Sequence, residues 1–201
     1  MKADILAPWA RLMPSSVGPM TAREFARLPD DARGLELVDG RVVKTMPTAG
    51  GHGAIAMACA TAMFAFVQTH GLGRVLPAET GFDLSIFGQP NTVLAPDVAF
   101  VRADRLPARD SEEWNEFWQV APDLVVEVVS PSQYRPELAA KMRRWLAAGV
   151  QLGWVVWPKV QQVDVWQSGA ADPVATLELD AILDGQDVLP GFRCPVAQLF
   201  A

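Results

Sequence analysis

Between Leu124 and Val129 every residue is apolar except Glu127. A short apolar run rich in β-branched residues, closed by Ser130-Pro131-Ser132, predicts a strand buried on both faces, and Pro131 ends it because proline cannot donate to a ladder. The period then changes. From Pro136, suited to a first helical position, to Gly149, suited to a C-cap, Leu138, Met142 and Trp145 recur at helical spacing. Lys141 flanks that apolar stripe, while Arg143 and Arg144 fall on the other side. A carboxylate in a strand covered on both faces has to be paired, metal-bound or neutralised. Lys141 is the cation this stretch offers to Glu127.

The same reading extends to the rest of the chain. Thr21-Ala22-Arg23-Glu24 is a capping box that opens a short helix to about Leu28. Leu35-Glu36-Leu37-Val38 and Arg41-Val42-Val43 flank Asp39-Gly40, a strong hairpin signal. Met46 to Gly53 reads as a glycine-bearing loop with His52 at its end. A helix follows to about Thr69, closed by His70-Gly71 and apolar nearly all round, as expected of a central helix packed on a sheet. Arg74 to Ile86 predicts a strand interrupted at Gly81, and Gly88-Gln89-Pro90-Asn91 a turn. Thr92 to Val101 predicts a second strand holding Pro96-Asp97. Arg102 to Val120 is polar and predicts a surface loop with a helical turn. Gly153 to Trp157 and Val160 to Trp166 form a hairpin, and Val174 to Leu179 one more strand. Residues 1–19 read as an irregular arm and residues 20–201 as one domain. The core order is helix, three strands, helix, strand, with an N-terminal hairpin before it and extra C-terminal strands after it. That order predicts an α/β fold with a mixed central sheet.

Composition narrows the possible partners. The 201 residues are 50% apolar and 20% charged, enough for a sizeable core in one domain. The net charge of −6 excludes a protein whose whole surface attracts nucleic acid or an anionic membrane. Phosphate-directed chemistry therefore needs a metal or a local basic patch, for which Arg135, Lys141, Arg143, Arg144 and Lys159 are available. Cys59 and Cys194 have no zinc spacing and read as two buried thiols. The start lacks a signal-peptide core, and the apolar run Gly53 to Val67 is shorter than the ~20 residues of a membrane span. A cytoplasmic protein without membrane attachment is expected.

Three groups can meet. Asp97 lies on the second core strand, Glu127 on the third and Lys141 on the next helix. Neighbouring strands run roughly 4.8 Å apart, so two carboxylates on them can share one divalent cation. Asp123 is four residues from Glu127 on one strand, about 13 Å away, and marks the beginning of that strand instead. Hard oxygen ligands suit Mg2+ or Mn2+, with waters filling the remaining positions. Two carboxylates, a metal and a lysine suit phosphodiester hydrolysis. The competing reading is a structural ion pair between Glu127 and Lys141.

Pro96-Asp97, then Glu127 in VVEVVSPS, then Lys141 in the following helix resembles the PD-(D/E)XK nuclease superfamily. More narrowly, the stretch from REFARLPD through LELVDGRVV, His52, APDVAFV and APDLVVEVVSPS to GWVVWP resembles the bacterial Uma-two family of restriction-endonuclease-like proteins. That covers roughly residues 20–167. The resemblance implies the nuclease core, a metal held by Asp97 and Glu127, and DNA as substrate. In the usual superfamily motif the lysine follows the acid by two residues, where this chain has Val129; the narrower family places it on the helix, where Lys141 stands. Glu36 and His52 match further family positions. Glu36 is then a third ligand or a supporting group, against an exposed turn-side glutamate. His52 is a phosphate contact, against a helix cap. The family's Asp-Pro after the fourth core strand is Trp157-Pro158 here. Glu79 and Asp83 alternate with apolar residues and read as solvent-facing, with Glu79 able to point at the site. The leading function is a Mg2+-dependent endonuclease acting on DNA. The alternatives are an inactive nuclease-fold domain that binds protein or nucleic acid, and a hydrolase of small phosphoesters. Apolar hairpins and seven tryptophans suggest a homodimer.

Overall fold

The computed structural model describes residues 18–28, 34–44, 49–131 and 133–201. The expected N-terminal arm lies outside the described residues up to residue 17, as do Met46 and the rest of its loop to residue 48. The capping box forms as read. Thr21 Oγ1 accepts the Glu24 N–H and the Glu24 carboxylate accepts the Thr21 N–H, opening helix α1 (Ala22–Phe25). The Asp39-Gly40 turn joins β1 (Leu35–Val38) to β2 (Arg41–Lys44).

Two predicted strands each divide between two sheets. The first becomes β3 (Gly73–Pro77) and β4 (Phe82–Asp83), parted by a turn in which Glu79 has φ +68°. The second becomes β5 (Val93–Leu94) and β6 (Val98–Arg102), parted at Ala95-Pro96-Asp97. Prolines at both breaks explain the splitting, since a ring nitrogen leaves a gap in any ladder. β4 and β5 join the hairpin in a small sheet ordered β2-β1-β5-β4. β3 and β6 join the main sheet, which adds β7 (Leu124–Val128), β8 (Leu152–Trp157), β9 (Gln162–Gln167) and β10 (Ala175–Leu177) in the order β10-β9-β8-β7-β6-β3. Only the β7–β8 pair in it is parallel, because the crossover helix α3 (Arg135–Ala147) connects those two strands. A last hairpin pairs β11 (Ile182–Asp184) with β12 (Arg193–Pro195). The expected α/β core with its mixed sheet is present: α2 (Gly50–His70), three strands, α3 and β8.

One face of the main sheet is covered by α2 and the C-terminal hairpin, with both Cys59 and Cys194 inside that layer as free thiols. The other face is covered by α3 through Leu138, Met142 and Trp145. α2 corrects an expectation. It begins at Gly50, so His52 sits in its first turn, and only a stripe through His52, Ile55, Cys59, Met63 and Val67 is buried. Met57 and Phe64 stand 64% and 53% exposed, because α2 is an outer layer and not a central helix. At 21 residues and mean hydropathy 1.5 it has the length and composition of a membrane span, yet it carries His52 and packs on the sheet. The six described tryptophans are buried or half-buried and form no exposed aromatic face.

Gly73 is required where β3 begins. A Cβ there would stand 2.1 Å from the Val101 carbonyl oxygen of β6, and its φ is +153°. Gly73→Ala is expected to cost about 2 kcal/mol or more, read as a lower thermal midpoint.

Candidate active site

The break between β5 and β6 builds the site. Val98 pairs with Val126, so the next positions outward, Asp97 and Glu127, face one another across the strands. Asp97 Oδ2 accepts the Val128 N–H at 2.7 Å, which fixes the carboxylate over the end of β7. On its other side His52 Nε2 approaches Asp97 Oδ2 at 3.3 Å from the first turn of α2. Ala49 at the helix N-cap makes no side-chain cap bond, so His52 serves Asp97 and not the helix terminus.

Lys141 reaches Glu127 from α3, 14 residues along the chain. Its Nζ lies 2.9 Å from Glu127 Oε1, 3.0 Å from Glu36 Oε1 and 3.3 Å from the Ala95 carbonyl oxygen. Glu36 Oε1 also accepts the Ala95 N–H at 3.0 Å. The Ala95 peptide is thus gripped at both ends, by Glu36 through its N–H and by Lys141 through its carbonyl. That grip holds the kink which turns Asp97 into the site. Glu36 is 7% exposed, which overturns the reading of an exposed turn-side residue. It reaches the site because β1 pairs with β5 at Leu37 and Val93.

All five candidate residues, Glu36, His52, Asp97, Glu127 and Lys141, therefore converge. Glu127 and His52 are 4% and 8% exposed, and the opening to solvent runs past Asp97 and Lys141, whose side chains are 19% and 20% exposed. Glu79 does not join them; it is exposed in the turn after β3. Asp83, read as solvent-facing, is buried and accepts hydrogen bonds from the Ser85 N–H and the Gln119 amide. Asp123 lies just ahead of β7, as expected, and is fully buried against the Arg102 N–H and the Arg105 guanidinium.

A family model described as Uma2, "Putative restriction endonuclease", matches residues 22–197. The chain belongs to the Uma2 family. A solved structure of a protein described as a putative nuclease belonging to DUF820, from Anabaena variabilis, has the same fold: TM-score 0.73 over 90% of this chain and 98% of that one, at 23% identity. No curated protein matches. The Uma2 resemblance drawn from VVEVVSPS and the helix lysine is thereby borne out, and so is the nuclease fold.

In this Uma2 protein three carboxylates, from Glu36, Asp97 and Glu127, surround one ammonium and one imidazole. Burial pushes the Glu127 carboxyl up to about 7 against the pull of Lys141, with Asp97 and Glu36 adding to the rise. Burial also works against the charge on Lys141, but Glu127 and Glu36 outweigh it and hold the ammonium protonated above the usual lysine range. The hydrogen bond to Asp97 raises the His52 pKa, and burial opposes it. The cluster carries surplus negative charge even with the imidazole protonated, the condition under which a further cation is attracted. Among the described residues no group of three or more His, Cys, Asp or Glu side chains is arranged as a metal cage. Two carboxylates suffice for Mg2+, which keeps several waters and is completed by substrate phosphate. The donor set thus fits a hard divalent ion.

The pattern along the chain pointed to Trp145 only as a core residue. Its indole N–H donates to Glu127 Oε1 at 2.9 Å. The signal was the spacing: Trp145 follows Lys141 by four, so both side chains reach the same strand acid from one helix face. Trp145→Phe keeps the ring and removes the donor. It is expected to cost about 2 kcal/mol, seen as a lower urea midpoint at unchanged slope.

The proposed basic patch is largely neutralised. Arg135 pairs with Asp164, Arg143 with Asp172 and Arg144 with Asp39; Lys159 stays exposed.

Proposed function

We propose that this protein hydrolyses phosphodiester bonds in DNA with a divalent metal, Mg2+ or Mn2+. The observation that carries the reading is the meeting of Asp97 and Glu127 on adjacent strands with the Lys141 ammonium on Glu127. Asp97 and Glu127 would hold the ion. When bound, it supplies Lewis-acid polarisation of the phosphoryl oxygen and a more acidic water.

The remaining work falls to the chain itself. Water oxygen bonds to phosphorus, one phosphorus–oxygen ester bond breaks, and the departing sugar oxygen takes a proton. Lys141 is a fixed positive centre beside this reaction, held by Glu127, Glu36 and the Ala95 carbonyl, and it offsets charge gathering on the phosphate. His52 holds Asp97 in place and adds a second positive charge when protonated. Trp145 fixes Glu127.

A second reading, a nuclease-fold domain that binds without cutting, is favoured by one observation: acidic neighbours occupy Arg135, Arg143 and Arg144, which leaves little free positive charge to hold phosphates. Incubation with supercoiled plasmid separates the two. Nicked or linear product in Mg2+ or Mn2+, absent with chelator, supports hydrolysis. Retarded but uncut DNA supports the binding domain.

A further inference from the structure

On the α3 face of the main sheet the residues opposite one another run Glu127, Val155, Asp164, Thr176 across four strands. A cavity of about 230 Å3 opens along this row, lined by Val155, Leu138, Ala139, Trp157, Asp164 and Trp166 among others. Two strand spacings, roughly 10 Å, separate its Asp164 from Glu127. The nucleotides beside a bond held at Glu127 are close enough to reach it.

Its chemistry is specific. Leu138, Ala139 and Val155 give apolar walls. Trp166 is 3% exposed, and its indole N–H has no partner among the described residues. A buried indole N–H without an acceptor is uncommon and costly, so an occupant bearing a carbonyl or ring nitrogen would be favoured there. At the lip the Arg135 guanidinium lies over the Trp157 ring, 4.0 Å from its centre. One of its nitrogens is held by Asp164, to which the Trp157 indole N–H also donates. The Arg135 side chain is 61% exposed, so its outer edge is open to an anion. The volume is below the ~300 Å3 of most drug-sized sites and suits a single planar ring system.

We propose that this cavity is a nucleobase subsite: it takes one unstacked base, with a ring acceptor toward Trp166 and the attached phosphate toward Arg135. The identity of the ligand as nucleic acid rests on the phosphodiester reading above; the cavity and its unpaired donor do not.

The test is equilibrium binding of the four deoxynucleoside 5′-monophosphates to the whole protein, with deoxyribose 5-phosphate as the probe lacking a base. At least one nucleotide is expected to bind and the sugar phosphate to bind far more weakly. Trp166→Phe keeps the ring and loses the donor; it should weaken the nucleotide about fivefold, the factor of one neutral hydrogen bond. Ala139→Leu, a helix-compatible change that fills the cavity, should abolish binding while circular dichroism stays unchanged. No nucleotide binding, equal binding in both variants, or equal binding of the sugar phosphate overturns the proposal. Plasmid cleavage is scored separately. Cavity-dependent nucleotide binding without cleavage would remove the nuclease reading and leave the subsite; cleavage without such binding would remove the subsite alone.

Discussion

A Glu127→Gln protein is expected to lose metal-dependent plasmid cleavage by at least about a thousandfold, roughly 4 kcal/mol of transition-state stabilisation, while remaining folded. The amide keeps the shape of the side chain and an oxygen for the Trp145 indole, so the packing around α3 survives. What disappears is one of the two carboxylates available to a divalent ion and the charge that holds Lys141 at 2.9 Å. Stability should respond with an opposite tendency. The Glu127 carboxyl is pushed up to about 7 in the fold, above its ordinary value of 4.5. A raised carboxyl contributes stability that is fully present below the ordinary value and is lost as pH rises through the folded one. The variant lacks that titration. Urea melts at pH 5 and pH 8 should show the wild-type advantage shrinking toward the higher pH. A variant that cuts at near wild-type rate removes Glu127 from the chemistry.

Lys141→Met is expected to carry the largest stability effect, about 3 kcal/mol, because removing one partner of a buried ion pair leaves the other charge uncompensated. Here two carboxylates are stranded, since both Glu36 and Glu127 lean on the same ammonium. Their carboxyls then rise further, so the sign is the same as above and steeper: the variant should recover stability in acid and lose it as pH rises. The loss extends to geometry, because Lys141 also holds the Ala95 carbonyl at the kink that aims Asp97. Adding Glu127→Gln should return part of the lost stability, a coupling that a double-mutant cycle by urea denaturation measures directly. Purely additive losses would show that Glu127 and Lys141 act independently. Cleavage should vanish in both Lys141 variants.

The local patterns were informative where chemistry and period coincide within one stretch. An apolar run with one acid, followed by a helix with one lysine on its flank, was enough to pair Glu127 with Lys141, and the order of helix and strands was enough for the core. The capping box at Thr21, the Asp39-Gly40 turn and the buried thiols followed from similarly short-range rules. The family pattern added Glu36 and His52, but left each with two roles.

Those roles were decided only by how distant segments dock. Glu36 meets Ala95 across 59 positions and Arg144 meets Asp39 across 105, distances over which no period along the chain carries a signal. The splitting of two strands between sheets follows from proline breaks whose direction depends on which edge the hairpin occupies. Exposure of one side of α2 depends on what lies above the helix, which its composition does not encode. The sequence by itself determined which residues could not be left alone in a folded core: a buried acid demands a cation, and an apolar stripe demands a covering surface. The tertiary structure decided which partner answered each demand. Glu36 and Glu127 share one lysine, Trp145 joins them, and acids claim the arginines of α3, because pairing in three dimensions is a competition among all groups the fold brings within reach.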